Sequence, residues 1–459
     1  MTEMLLGNRD GYINEFIDFV GSSPSSYHAA RFSAALLAGS GFTELSEEDA
    51  WGPVIAGSRG VVVRDGAIIA WHAGEGVTAT SPVRVLGAHT DSPGFVLKPQ
   101  PDFTAAGWSQ AGVEIYGGPL INSWLDRDLG FAGRVVTRSG EERLVCTQAV
   151  ARIPQLAIHL DREANSGLTL DRQRNTQPIL AVSSPETSVL ELLATAANLP
   201  QPGEDPFAGA PASAVLTEDD GSRITAADLA GTDVRLYDTQ GASRIGALNE
   251  FLASPRLDNL SSTFAGLVAL IETEPAPGTI SVFASFDHEE LGSDTRSGAA
   301  GPFLEDVLVR LRAGLGATAD DAARAMAASW CLSADAGHSV HPNYQEKHDP
   351  NVHPLAGKGP MLKVNANQRY ASDAHGAALW QRACEAAGVA TQEFVSNNTV
   401  PCGSTIGPIT ATRLGIRTVD VGVPLLSMHS ARELAHVDDL HGLARAIGAF
   451  YAGAFYAGA

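Results

Sequence analysis

Two stretches of the chain alternate β-rich apolar runs with helical patterns, and a long stretch of different texture separates them. In the first, the turn dipeptide at 65–66 joins two strand-like runs into a predicted hairpin, and a buried strand follows at 83–91. From Leu248 the alternation returns, with helices predicted over 260–272 and 302–313 between strands. Strands that alternate with helices favour a largely parallel sheet covered on both faces. The sequence therefore predicts an α/β fold around a central mixed, largely parallel sheet.

The intervening stretch, from about Phe95 to Ile245, is expected to be mostly β. Short β-rich runs alternate there with Gly, Pro and polar turns, and only 188–199 has a helical pattern. Residues 201–213 predict an exposed loop. At the C-terminus FYAGA occurs twice in succession, which predicts the end of a packed helix or an oligomer contact. We therefore expect two domains, an α/β domain formed by residues 1–95 and 246–459 and an inserted, mostly-β domain formed by residues 96–245.

Composition excludes several classes of protein. The chain has 459 residues, with 31 Lys and Arg against 52 Asp and Glu, so its formal net charge is −21. Such an acidic chain is not expected to track nucleic-acid phosphates. No run of about 18 apolar residues is present, so no membrane span is expected, and the N-terminus lacks the pattern of a secretory signal. Four scattered cysteines without a CxxC pair indicate a reducing cytoplasm.

Side chains that commonly bind metals stand at the ends of four apolar strands. They are His89 with Asp91, Glu289 with Glu290, Asp335, and His429. A further candidate, Asp258, stands just before a predicted helix. Each of these alone is more often a turn former, a cap or a solvated residue. Their coincidence favours a single site, because functional groups collect beyond the carboxyl ends of strands in an open α/β sheet.

Five such ligands suit a pair of metal ions rather than one. Histidine and carboxylate ligands favour zinc, although cobalt and manganese accept the same set. Two-metal sites hold their ions about 3.5–4 Å apart around a shared water, and Asp258 would bridge them. Of Glu289 and Glu290, one would bind metal while the other faces the water as general base. Asp91 would orient the imidazole of His89.

Seven segments together resemble the M18 family of metallopeptidases. They are GAHTDSPGF (87–95), SPRLDNLSS (254–262), SFDHEELGSDTRSGA (285–299), SADAGHSVHPNY (333–344), KVNANQRYAS (363–372), PCGSTIGPI (401–409) and MHSARE (428–433). The resemblance covers essentially the whole chain, and its HxD and EELGSDTRSGA blocks are specific when they occur in this order. It implies an α/β/α zinc-peptidase-like catalytic domain carrying an inserted mostly-β domain.

The resemblance also implies the role of each site residue. Two zinc ions per subunit are expected, one held by His89 and Asp335, the other by Glu290 and His429, with Asp258 bridging them. Glu289 would be the general base that activates the bridging water to hydroxide, and later the acid towards the leaving amine. Asp91 would support His89.

The resemblance further implies a peptide substrate with an unblocked N-terminal Asp or Glu. Lys363 would hold the acidic side chain, although without the resemblance it would be assigned to the surface. Tyr370 and His341 would line the pocket, and His341 has rivals in its own loop, namely His338, His348 and His353. His159 resembles a histidine that reaches a neighbouring subunit's active site, and the apolar run before it predicts a buried strand.

The family likeness implies a homo-oligomer, in which the inserted domain forms dimers that assemble into a tetrahedral dodecamer. Two other functions remain open from the residues. A deacylase or a carboxypeptidase-like amidohydrolase would use the same dinuclear site, and Lys363 discriminates between them and an acid-specific aminopeptidase. A non-catalytic assembly scaffold is the third reading, and the intact ligand set with Glu289 argues against it.

Overall fold

The computed structural model describes residues 4–182, 188–201 and 223–454. Most of the expected loop at 201–213 and the last residues of the repeated tail therefore lie outside the described residues. Within the described part, no helix is long and apolar enough to cross a membrane.

The helices and strands follow one another along the whole described chain. The α-helices are α1 (Arg9–Gly21), α2 (Ser26–Gly39), α3 (Val189–Ala197), α4 (Leu257–Glu272), α5 (Phe303–Gly314), α6 (Ala319–Ala327), α7 (Ala374–Ala387), α8 (Ile406–Leu414) and α9 (Val437–Tyr451). The strands are β1 (Thr43–Glu44), β2 (Arg59–Arg64), β3 (Ala67–Ala73), β4 (Val83–His89), β5 (Gly94–Ala105), β6 (Trp108–Tyr116), β7 (Leu129–Thr137), β8 (Glu142–Cys146), β9 (Ile179–Val182), β10 (Leu229–Asp238), β11 (Ser243–Ile245), β12 (Phe251–Ser254), β13 (Ile280–Phe286), β14 (Trp330–Ala334), β15 (Gly337–His338), β16 (Met361–Lys363), β17 (Gln392–Phe394), β18 (Arg417–Gly422), β19 (Pro424–Leu426) and β20 (Glu433–His436).

The largest sheet has nine strands in the order β1-β2-β3-β13-β4-β14-β18-β16-β17. Its centre is parallel, because β4 pairs in parallel with β13 and β14, and β14 pairs in parallel with β18. The predicted hairpin at 65–66 is confirmed as the antiparallel β2–β3 pair, and Asp65 takes the positive φ that the turn requires. The expected mixed, largely parallel α/β sheet is therefore confirmed.

Helices cover both faces of this sheet. Leu86 on β4 packs with one core, which includes residues of α1, α2, α4, α7 and α9, while its neighbour Val85 packs with a second core formed with α5 and α8. Successive side chains of a strand point to opposite faces, so a strand between two helical layers is buried on both faces. This explains why all seven residues of β4 are buried.

Strands within residues 94–182 and 229–238 form a separate six-stranded sheet in the order β8-β7-β10-β5-β6-β9, with α3 in its core. A third sheet, β11-β12-β20-β19-β15, joins short strands from distant parts of the chain. It includes residues 243–245, which pair with β12. The expected domain limits at 95/96 and 245/246 remain predictions.

The segment around His159 differs from the sequence-based expectation. The apolar run IPQLAIHL does not form a buried strand, because Leu156, Ile158 and Leu160 are exposed and the segment ends in a turn. The prediction that His159 follows a buried strand is therefore wrong. An apolar run has the same sequence pattern whether it packs inside its own chain or presents its side chains outside it.

Candidate metal centre

The predicted ligands lie beyond the carboxyl ends of the central strands, as the parallel arrangement requires. His89 ends β4, Asp335 directly follows β14, and the pair Glu289 and Glu290 forms a short turn after β13. These three strands are neighbours in the sheet. His429 comes from the connection between β19 and β20.

Tight backbone turns present several of these side chains. His288 (φ 62°), His429 (φ 66°) and Arg256 (φ 56°) all have left-handed backbone conformations. Such conformations are uncommon for residues other than glycine and concentrate at functional sites. Arg256 stands at the start of α4, whose second residue, Asp258, departs from helical geometry and turns its carboxylate towards the two histidines.

Asp258 lies between two histidine–carboxylate pairs. Its Oδ1 is 3.4 Å from Nε2 of His89, which in turn is 3.5 Å from Oδ1 of Asp335. Its Oδ2 is 3.3 Å from Nε2 of His429, which is 3.6 Å from Oε2 of Glu290. Each oxygen of this one buried carboxylate therefore faces a different histidine.

Asp91 contacts His89 and the turn formed by Glu289 and Glu290. The Nδ1 atom of His89 is 3.0 Å from the backbone carbonyl of Asp91 and 3.4 Å from its carboxylate. A proton on Nδ1 of the neutral imidazole makes Nε2 the atom that can bind a metal ion. The same carboxylate accepts hydrogen bonds from the backbone N–H groups of Glu289 (3.0 Å) and Glu290 (3.2 Å).

A second buried carboxylate, that of Glu433, has a role that the sequence does not predict. Its two oxygens accept hydrogen bonds from the backbone N–H groups of Asp258 (3.0 Å) and His429 (2.7 Å). It therefore braces two of the predicted ligands through their main chain. The only signal for it in the sequence is its place at the end of the MHSARE segment.

The electrostatic field of the centre is strongly negative and attracts positive charge. Burial disfavours a proton on His89, yet Asp258, Asp335 and Asp91 outweigh burial and raise the pKa of this imidazole well above its usual value. Burial is likewise outweighed at His429, whose pKa rises to about 10. A field that raises the pKa of both imidazoles, one buried and one partly exposed, also favours metal cations at the same nitrogen atoms.

A cleft of about 540 Å³ opens onto these residues. Lys363 lies at its wall, only 2% exposed, and its Nζ donates hydrogen bonds to Oδ2 of Asp335 (3.2 Å) and to the carbonyl of Ala336 (2.7 Å). The Nζ atom also lies 5.4 Å from the centre of the Tyr370 ring. Lys363 is thus not the surface residue that its sequence context alone would suggest.

The histidines of the 338–353 loop are separated by the structure. His338 lines the cleft together with the predicted ligands. His341 lines an adjoining pocket instead, and its ring packs against Tyr344. The two pockets share His338 and Tyr370. Of the sequence-based candidates, the structure brings Lys363 and Tyr370 to the ligands, whereas His341 stands one pocket away and His159 is exposed in the 157–160 turn.

One further carboxylate organises the wall of the cleft. Asp420, on β18, accepts hydrogen bonds from the backbone N–H of Ala371 (2.6 Å) and from the hydroxyl of Thr405. It therefore ties together the two loops that carry Tyr370 and residues 403–405. Gly407 leaves room for this carboxylate, because a Cβ atom there would lie 2.4 Å from both of its oxygens.

The donor set fits zinc. Ligand atoms of His89, Asp258 and Glu290 lie within 4.8 Å of one another, and Oδ1 of Asp258 is buried without a hydrogen-bond partner among the residues that the structure describes. Imidazole nitrogens and carboxylate oxygens are the atoms that zinc binds outside thiolate sites. An α/β sheet with such a cluster beyond its central strands, opening into a cleft, has the arrangement of a metal-dependent enzyme.

Comparison with known proteins gives the family. The family model described as Aminopeptidase I zinc metalloprotease (M18) matches residues 19–451. The chain is also similar to a protein named probable M18 family aminopeptidase 2 from Streptomyces avermitilis, with 48% identity over 448 residues that cover 96% of this chain and 98% of the relative. The protein of the same name from Streptomyces coelicolor is 46% identical over 445 residues, covering 96% of this chain and 97% of the relative. The chain therefore belongs to the M18 family of zinc aminopeptidases.

Solved structures agree with this assignment. A chain in a cryo-EM structure of the Ape4 and Nbr1 complex matches with a TM-score of 0.89 and 34% identity, covering 99% of this chain and 87% of that chain. A chain of the S. cerevisiae mApe1 dodecamer matches with a TM-score of 0.80 and 29% identity, covering 98% of both chains. The predicted family and α/β fold are both confirmed.

Proposed function

We propose that the chain is an aspartyl aminopeptidase-like enzyme with two zinc ions per subunit. One ion would be held by His89 and Asp335 and the other by His429 and Glu290. The observation that carries this proposal is the position of Asp258, whose two oxygens face the two histidines at 3.4 and 3.3 Å. When bound, the two ions would polarise the scissile carbonyl and lower the pKa of the water they share.

We assign the role of general base to Glu289. Its Oε2 lies 3.9 Å from Nε2 of His89, so it faces the same space as the ligands without pairing with either histidine as closely as Asp258 does. Burial, opposed in part by His89 and reinforced by Asp335, raises the pKa of Glu289 to about 8. A carboxylate with a raised pKa can take a proton from the attacking water and return it to the leaving nitrogen.

Lys363 supports a preference for an acidic N-terminal residue. An ammonium group has three N–H donors, and two of those on Lys363 are used by Asp335 and Ala336. The third can reach a substrate carboxylate in the cleft and form a charge-assisted hydrogen bond. His338 and Tyr370 would close the pocket around that side chain, and we propose His338 for this role in place of His341.

We also propose that the enzyme acts as a homo-oligomer built through the domain of residues 96–245. His159 would contact the active site of another subunit, since it stands in a segment that exposes Leu156 (62%) and Leu160 (75%). Exposed apolar side chains of this kind mark contact surfaces. One solved relative is a dodecamer by its title, and the proposal extends a tetrahedral dodecamer of dimers to this chain.

The proposed location is the reducing cytoplasm. All four cysteines lie in the described residues and are free thiols, and two of them are buried. Such usage is typical of proteins from reducing compartments. Cobalt or manganese would substitute for zinc at the same ligands.

The test is a panel of peptides that differ only in the first residue, assayed with and without a chelator. We expect release of N-terminal Asp and Glu, loss of this activity in the chelator, and recovery with zinc. N-acetylated Asp peptides are the matched control and should not be cleaved. Cleavage of Ala- and Leu-led peptides as efficiently as Asp-led ones would refute the proposed specificity, and activity that survives metal removal would refute the proposed centre.

A further inference from the structure

Asp91 has a hydrogen-bond donor that comes from the second sheet. The hydroxyl of Tyr116, the last residue of β6, donates to Oδ2 of Asp91 at 2.8 Å. The same oxygen accepts the backbone N–H of Glu290, and Asp91 is only 1% exposed. A tyrosine of the six-stranded sheet thus contacts the carboxylate that holds both His89 and the Glu289–Glu290 turn.

Tyr116 is in turn held by an arginine of the same sheet. The guanidinium of Arg235, on β10, stacks over the ring of Tyr116 with its central carbon 3.7 Å from the ring centre. Its Nη2 lies 4.0 Å from Oδ1 of Asp287, which is fully buried and stands two residues before Glu289. Strand β5 lies between β10 and β6, so the arginine side chain reaches across it. A largely buried arginine of the six-stranded sheet therefore links Tyr116, which binds Asp91, to the buried carboxylate of Asp287.

We infer that Tyr116 and Arg235 are positioning residues through which the six-stranded sheet sets the geometry and the zinc affinity of the metal centre. This inference rests on the proposed assignment of His89 and Glu290 as zinc ligands. The second sheet would then be a structural part of the active site in each chain, in addition to any role in assembly.

Tyr116 affects the metal centre because it is one of the few hydrogen-bond donors to the Asp91 carboxylate. Without the Tyr116 hydroxyl, Oδ2 retains only the backbone N–H of Glu290, and the carboxylate can rotate away from His89. Groups that orient metal-binding histidines in this way typically change metal affinity by about 10- to 100-fold when removed. Arg235 acts one step further away, because it fixes the ring of Tyr116 and compensates the charge of Asp287.

The test compares Tyr116→Phe with Tyr237→Phe in the full-length protein. Tyr237 is a matched control, since it is a buried tyrosine of the same sheet whose hydroxyl donates to the carbonyl of Thr147 instead. Zinc affinity is measured by competition with a chelator, and the thermal unfolding of the zinc-free and zinc-loaded proteins is followed in parallel.

We expect Tyr116→Phe to bind zinc about 10- to 100-fold more weakly, with a smaller zinc-induced rise in Tm, while Tyr237→Phe binds zinc as the wild type does. Wild-type zinc affinity in Tyr116→Phe would overturn the inference. An equal loss of affinity in both variants would also overturn it, because the effect would then be general to the sheet. A wild-type protein that binds no zinc would instead refute the proposed function.

The contribution of Arg235 is tested by combining Arg235→Lys with Tyr116→Phe. If the two residues act in one chain of contacts, their effects on zinc affinity are not additive, and the double variant loses less than the product of the single losses. Fully additive effects would show that Arg235 does not act through Tyr116. Should Arg235→Lys fail to fold, the Tyr116→Phe comparison still decides the inference.

Discussion

Replacing Lys363 with methionine separates two roles that the structure gives to this side chain. The Nζ atom contacts Asp335, a proposed zinc ligand, at 3.2 Å, and has one further N–H donor for a substrate carboxylate. Methionine fills a similar volume in this buried position without charge or donors. The substitution therefore removes both the support of Asp335 and the proposed recognition of an acidic residue.

The two effects differ in how they depend on the substrate. A hydrogen bond to a charged group contributes about 1.5–3 kcal/mol, which corresponds to about a 10- to 150-fold effect on kcat/KM. This part applies only to substrates with an N-terminal carboxylate side chain. The loss of support for Asp335 and the unpaired carbonyl of Ala336 affect every substrate equally.

The assay is the ratio of kcat/KM for matched Asp-led and Asn-led peptides, which have nearly the same shape and differ in charge. The wild type should prefer Asp by about 10-fold or more, and Lys363→Met should bring the ratio close to 1 while lowering both values. A variant that loses activity but keeps the wild-type ratio would refute the reasoning, because Lys363 would then serve Asp335 alone.

Three further predictions concern the surroundings of the centre. Glu433→Gln leaves the backbone N–H of Asp258 or of His429 without an acceptor. The free energy of unfolding, measured in urea, should therefore fall by about 1–3 kcal/mol, and an unchanged value would contradict this. Burial lowers the pKa of His28 to about 3, so only the unfolded chain takes up a proton as pH falls below about 6.5. From this residue, the unfolding free energy should decrease by about 1.4 kcal/mol for each pH unit below that point. His28→Gln should therefore make the dependence of the unfolding free energy on pH shallower by that amount between pH 6 and pH 4. Equal slopes in the variant and the wild type would contradict this role of His28. Gly407→Ala should raise KM by displacing Asp420. Gly39→Ala is the control, because Gly39 is exposed at the end of α2 and a Cβ there meets nothing within 4 Å, and equal KM values for the two variants would count against this role of Asp420.

The ligand cluster could be predicted because strand order and strand polarity constrain it strongly. His89, Asp335 and the Glu289–Glu290 pair each follow an apolar strand that is buried on both faces, and such strands are recognisable from sequence. Parallel neighbours end at one edge of the sheet, so the side chains after them must meet. The structure brings these residues together for that reason.

The third sheet could not be predicted, because its strands are too short to show the alternation of apolar and polar residues that identifies a strand. Strands β15 and β19 have two and three residues, and β12 and β20 have four. Their pairing brings Glu433, at the start of β20, under Asp258, 175 residues away in sequence. Nothing in the local sequence of MHSARE indicates which of its polar residues points inward.

Contacts between the two large sheets could not be predicted from the sequence either. Tyr116 lies in an ordinary β-rich run and Arg235 in another, and their approach to Asp91 depends on how the six-stranded sheet packs against the catalytic one. The sequence cannot decide between His338 and His341 for a related reason. Both lie in an irregular loop, where no periodicity tells which side chain faces the cleft.

We propose that two zinc ions and Glu289 together perform the hydrolysis. The most direct measurement determines zinc per chain and the release of Asp from an Asp-led amide, for the wild type and for Glu289→Ala. We expect two zinc ions in both proteins and turnover that falls by about 10²- to 10⁴-fold in the variant. Near-normal turnover in Glu289→Ala, or a wild type that is active with fewer than two zinc ions per chain, would contradict it.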